Sequence, residues 1–99
     1  MLKVAWTPGL ILYQRADTDN EIYRLDWSQW LDGEAMAYPP VLVASAGLAH
    51  SLHFVATSYI DVRITLTGDA GTVFTLDVQV ESAVTARKKT MTFRFKIIG

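Results

Sequence analysis

Tyr59-Ile60-Asp61-Val62-Arg63-Ile64-Thr65-Leu66 alternates apolar and polar residues along its whole length. The pattern returns in Phe74-Thr75-Leu76-Asp77-Val78-Gln79-Val80-Glu81 and again in Thr90-Met91-Thr92-Phe93-Arg94-Phe95-Lys96-Ile97. Side chains on a strand point to opposite faces with period two, so each run reads as a strand buried on one side. The inward sets are Ile60, Val62, Ile64 and Leu66; Phe74, Leu76, Val78 and Val80; and Met91, Phe93, Phe95 and Ile97. Half-buried strands belong to antiparallel sheets, because parallel strands are usually covered on both faces. The physical reading is an all-β domain.

At 99 residues the chain is one domain, and a chain of this size buries roughly 65% of its unfolded surface. Cysteine is absent, which removes disulfides and thiolate metal ligands. A formal net charge of −1, spread along the chain, gives no basic face for nucleic acid. No apolar run reaches the roughly 20 residues that span a bilayer, and the N-terminal stretch does not read as a signal peptide. Hydrophobic residues make up 51% of the sequence. That is rich for so small a body, and the expectation is that another chain covers part of the excess.

Residues 1–15 form an apolar arm and first strand, carrying Leu2, Val4, Trp6, Leu10, Ile11, Leu12 and Tyr13 and broken at Thr7-Pro8-Gly9. Two readings stay open: the arm packs on its own sandwich, or it reaches onto a neighbouring subunit. Asp17-Thr18-Asp19-Asn20-Glu21 is spaced like the start of a calcium loop, but Ile22 stands where the required glycine belongs and Ser28 where the closing glutamate belongs. A solvated turn is the better reading.

Asp26-Trp27-Ser28-Gln29 has the form of a capping box, which predicts a helical turn over 27–31 that stops at Asp32-Gly33. The turn would bring Trp27 and Trp30 to one side, either to plug an end of the sandwich or to form a stacking platform. Pro39-Pro40 marks an edge strand or a change of sheet. His50 and His53 fall on opposite faces of a strand and do not make a metal site. Arg87-Lys88-Lys89 is placed in the last hairpin loop. No serine elbow, cysteine nucleophile, phosphate loop or zinc-protease motif occurs, so no catalytic, cofactor-binding or metal residues are assigned.

The segment from Leu66 to Val80 resembles the corner of fibronectin type III and other immunoglobulin-like domains, with Phe74 in place of the usual tyrosine. The run from Ala16 to Leu31, with its Asp-Trp-Ser-x-Trp-Leu ending, is similar to the opening of a family of small tailed-phage virion proteins described as fiber–tail adaptors. Ala46-Gly47-Leu48, Leu66 to Thr72 and Phe93-Arg94-Phe95 also sit where that family has similar runs. Arg87-Lys88-Lys89 and Pro39-Pro40 depart from it.

The resemblance implies an immunoglobulin-like β-sandwich of about seven strands over 16–99. It further implies a non-enzymatic adaptor in the virion, made in the bacterial cytoplasm and repeated around a tail or connector. Its partners would be other virion proteins and copies of itself, with no cofactor, nucleic acid or membrane. The contact residues expected are Leu2, Val4 and Trp6, with Arg87, Lys88 and Lys89 as a second site. Trp27, Trp30, Phe74, Phe93 and Phe95 are assigned to packing. The alternative is a carbohydrate-binding sandwich for host attachment, which needs Trp27, Trp30 or Tyr38 to line a groove.

Overall fold

The computed structural model describes residues 2–7, 9–17 and 19–99. Pro8 of the expected break and Thr18 of the acidic loop lie outside the described residues, as does Met1. In chain order the elements are β1 (Leu2–Ala5), β2 (Ile11–Arg15), β3 (Glu21–Asp26), the short helix α1 (Ser28–Leu31), β4 (Val41–Ala44), β5 (Leu48–Val55), β6 (Tyr59–Leu66), β7 (Val73–Glu81) and β8 (Lys88–Ile98).

Two four-stranded sheets stack as a sandwich, one in the order β1-β3-β6-β5 and the other β2-β8-β7-β4. The three alternating runs become β6, β7 and β8, and every inward residue named for them is buried. Each fully buried large aliphatic or aromatic side chain stabilises the fold by roughly 2 kcal/mol. Trp27, Phe74, Phe93 and Phe95 join this core as expected, with the Trp27 and Phe93 rings tilted at 5.7 Å.

Three expectations are corrected. There are eight strands among the described residues rather than about seven, because the arm supplies two, β1 and β2. The sheets are mixed rather than antiparallel: β1 pairs in parallel with β3, and β2 in parallel with β8, each at a sheet edge. Half-burial alone does not fix the direction of an edge strand. Lys88 and Lys89 are not in the loop, because β8 begins at Lys88, opposite Glu81, with Lys89 opposite Val80.

The chain changes sheets at every connection except β5 to β6 and β7 to β8. Pro39-Pro40 therefore precedes an edge strand, since a residue without an N–H cannot serve a central ladder. The turn before β5 is held by Gly47 at φ +93°, where a Cβ would stand 2.5 Å from Cε1 of Phe74 and 2.9 Å from the Thr67 carbonyl. Phe74 makes no backbone bond of the kind a tyrosine would. Its ring instead fills the space over Gly47.

Inside the sandwich one polar group is engaged on all sides. Gln14 of β2 donates through Nε2 to the carbonyls of Ile64 (2.8 Å) and Asp19 (3.0 Å), while its Oε1 accepts from the Tyr23 hydroxyl at 2.9 Å. Burial, with the nearby charges of Glu21 and Asp19, pushes the Tyr23 phenol up to about 12.

Candidate functional site

The Asp26–Leu31 run builds one corner of the sandwich. The Asp26 carboxylate accepts the Ser28 backbone N–H at 2.9 Å, and the Trp27 N–H donates to the Ser58 carbonyl at 2.9 Å. Asp26 thus caps the turn from outside it, and Gln29 makes no return bond of the expected capping box. Asp32, in the left-handed region at φ +50°, and Gly33 at φ +86° end the helix where expected. Trp27 and Leu31 face the core. Trp30, three residues after Trp27 and one turn on, is half-buried and packs against the core from the rim of the corner.

Trp6 comes to the same corner. Its indole N–H donates to the Thr92 carbonyl at 2.9 Å. Trp6, Trp27 and Trp30 together with Met91 line a cleft of about 120 Å³. The Trp27 indole N–H is buried without a hydrogen-bond acceptor among the described residues.

Arg87 lies over the Trp30 ring at 4.8 Å, and its Nη2 donates to Glu34 Oε1 at 3.2 Å. Glu34 also accepts from the hydroxyls of Ser82 and Thr85. The Ser82 bond first, then those from Thr85 and Arg87, hold its carboxyl below the usual range. A stacked guanidinium fixed by a carboxylate is a preorganised recognition element. The corner offers aromatic area and one oriented cation.

The six expected contact residues divide. Trp6 and Arg87, read as separate sites, meet around Trp30. Leu2 stays 50% exposed, but Val4 is only 6% exposed beneath its own sheet, so its side chain cannot reach a neighbour. Of the two readings for the arm, the chain takes the first over Val4 and Trp6. Lys88 lies 3.7 Å from Glu81, an exposed strand pair worth little energetically, and Lys89 is exposed.

A second cleft, of about 430 Å³, opens on the outer face of the β1-β3-β6-β5 sheet between Lys3, Arg24, Asp26, Ser58 and Tyr59. Here Arg24 makes a two-pronged pair with Asp61 at 2.9 and 3.1 Å and lies over the Tyr59 ring at 3.9 Å. The Asp61 bond raises the Arg24 guanidinium further above its ordinary value. Asp61, expected outward in solvent, is 2% exposed. Phe54 sits opposite it in the ladder and Arg24 spans it. Nothing in the sequence gives the register that makes this pair.

The remaining expectations concern polar loops. Asp17 accepts from the Thr67 hydroxyl at 3.0 Å, and Asp19 accepts the Arg15 N–H at 2.9 Å, so these oxygens hold the loop to its own chain. His50 and His53 are exposed on β5, and the ladder shifts register between Leu52 and Phe54. Among the described residues no group of side chains is placed to hold a metal ion. Compared with known proteins, the chain matches no family model, no curated protein and no solved structure.

Proposed function

We propose that this chain is a non-enzymatic structural component of a tailed-phage virion, an adaptor that joins tail or connector proteins to fibers or neighbouring subunits. The observation that carries the reading is how the Asp-Trp-Ser-x-Trp-Leu run, the most specific part of the resemblance, sorts its residues. Asp26, Trp27 and Leu31 serve the fold, while Trp30 is turned toward the surface beside Trp6 and Arg87. Half-buried tryptophan next to an oriented arginine is the composition of an interface hot spot.

The strand order supports an immunoglobulin-like identity for the sandwich. The β1-β3-β6-β5 and β2-β8-β7-β4 sheets follow the ABED and A′GFC arrangement, with β1 departing from it by running parallel to its neighbour. Repeated head-to-tail contacts of such a unit close into rings.

The carbohydrate-binding alternative draws on the half-exposed Trp30. Against it, a cleft of about 120 Å³ is well below the ~300 Å³ at which ligand pockets begin, and Arg87 covers one face of the Trp30 ring. Tyr38 is 76% exposed and lines neither cleft.

Gold-labelled antibody against the chain, applied to purified phage particles, tests the proposal. Label at the tail or fiber base is the expected result. Particles that lack the chain while the infected cell contains it would overturn the reading. Substituting Trp30→Ala together with Arg87→Glu in the phage should leave a folded chain that is lost from particles.

A further inference from the structure

Between Glu34 and Asp61 the sequence contains no Lys, Arg, Asp or Glu, although the whole chain carries 9 basic and 10 acidic residues. That uncharged span supplies both β4 and β5, which close the two sheets on the same side of the sandwich and approach within 8 Å Cα to Cα. β5 is eight residues long, pairs with β6 on one side only, and is exposed on both faces from Ala49 to Phe54. On β5 Leu52 and Phe54 are exposed, Phe54 by 53%, while Val41 and Val43 of β4 are exposed on the outer face of the other sheet.

A free edge presents unpaired N–H and C=O groups to any incoming strand, and proteins ordinarily guard it with charge. The other edges are short or charged: β1 has four residues with Lys3, β2 five with Arg15, and β4 four. We propose that β5 is a self-association edge, pairing antiparallel with β5 of a second copy around a two-fold axis near Ser51, so that two four-stranded sheets become one continuous sheet.

The occupant follows from charge and length. A two-fold contact sets each residue against its mirror position across the axis, so a charge at mid-strand would meet its own sign. A strand without Lys, Arg, Asp or Glu avoids this. Among the described residues no other sheet edge is as long as β5, and its regular part alone equals the longest of them. The apolar Leu52 and Phe54 supply the area that a backbone ladder alone lacks. The register shift before Phe54 bends the far end, leaving Leu48–Leu52 as the regular part of the edge.

Sedimentation velocity of the full chain, up to high-micromolar concentration, is the test. Wild type should dimerise with concentration, and hydrogen exchange should show those Ala49–Phe54 amides that face away from β6 gaining protection in the dimer. Ser51 is exposed, so Ser51→Lys and Ser51→Glu should each fold with an unchanged circular dichroism spectrum and remain monomeric. An equal mixture of the two should recover the dimer, because lysine then faces glutamate. A wild type that stays monomeric throughout would overturn the proposal. So would a Ser51→Lys chain that still dimerises, a mixture that does not re-associate, or β5 amides that gain no protection. The virion reading is decided separately, by whether particles contain the chain.

Discussion

The Gln14 side chain of one sheet accepts the Tyr23 hydroxyl of the other at 2.9 Å, with both residues buried between the layers. Because Gln14 Nε2 also donates to the Ile64 carbonyl, the amide is a strut between the two layers. Gln14→Leu keeps the volume but leaves the Tyr23 hydroxyl and the Ile64 carbonyl without their partner. Each buried group left unpaired costs about 1–3 kcal/mol, so the substitution should destabilise by about 3 kcal/mol. Urea midpoints for the two chains measure this directly.

Tyr23 also gives the fold an alkaline limit. Its phenol is raised from 10.0 to about 12 by burial and by the Glu21 and Asp19 charges. The unfolded chain therefore ionises first. Stability is fully present below pH 10, falls as pH rises through the interval, and has lost this contribution above pH 12. Tyr23→Phe should flatten the fall of melting temperature across that interval while lowering stability at neutral pH, since Gln14 Oε1 then loses its donor.

How much of this was visible in the sequence follows from what each feature depends on. Ile60 to Leu66 could be read because period-two alternation is a local property. The crossing at 67–72 was equally legible, because turn residues announce it. The directions of β1 and β2 were not, since edge pairing is decided by which layer each strand reaches. Arg24 and Asp61 each occupy the polar phase of their strands, and only the register brings them to 2.9 Å. Trp30 and Arg87 are 57 residues apart, and no spacing rule links them. The stretch without Lys, Arg, Asp or Glu between Glu34 and Asp61 escapes a reading that takes the charges as spread along the chain. Its meaning needed the topology, which puts both of its strands at edges.

Glu34 sets the acid behaviour of the corner. Its carboxyl is held low by the Ser82 bond first, then by Thr85 and Arg87. A depressed folded value means that its stabilisation is fully present above the ordinary 4.5 and is lost as pH falls through the folded value. Glu34→Gln should therefore reduce the steepness of acid unfolding below that pH. The Trp30 fluorescence should also change on acidification in wild type, as Arg87 loses its anchor.

Gly47 is the position where a single methyl should be least tolerated. Its φ of +93° disfavours any side chain, and an added Cβ meets Phe74 and the Thr67 carbonyl at 2.5 and 2.9 Å. The Thr67 N–H donates to the Gly47 carbonyl at 2.8 Å, so the backbone cannot simply retreat. Gly47→Ala should cost about 2 kcal/mol or more from backbone strain and overpacking. Gly47→Ala with Phe74→Leu should recover part of the loss if the ring contact is its main source.

The arm supplies the last prediction, opposite to that for a segment reaching out to a neighbour. Had it done so, removing residues 1–6 would leave melting unchanged. Instead β1 pairs along its length with β3, Val4 lies buried opposite Leu25, and the Trp6 indole is tied to Thr92. Deletion of 1–6 uncovers one edge of the core and removes a Val and a Trp contact, each worth roughly 2 kcal/mol. The melting temperature should fall by more than ~10 °C, using about 4–8 °C per kcal/mol for a domain of this size. Trp6→Phe separates the parts, because it keeps most of the packing and loses only the indole donor, about 1 kcal/mol. A truncated chain that melts like wild type would show that the β1 ladder contributes nothing in solution, and would free Trp6 to serve a partner instead.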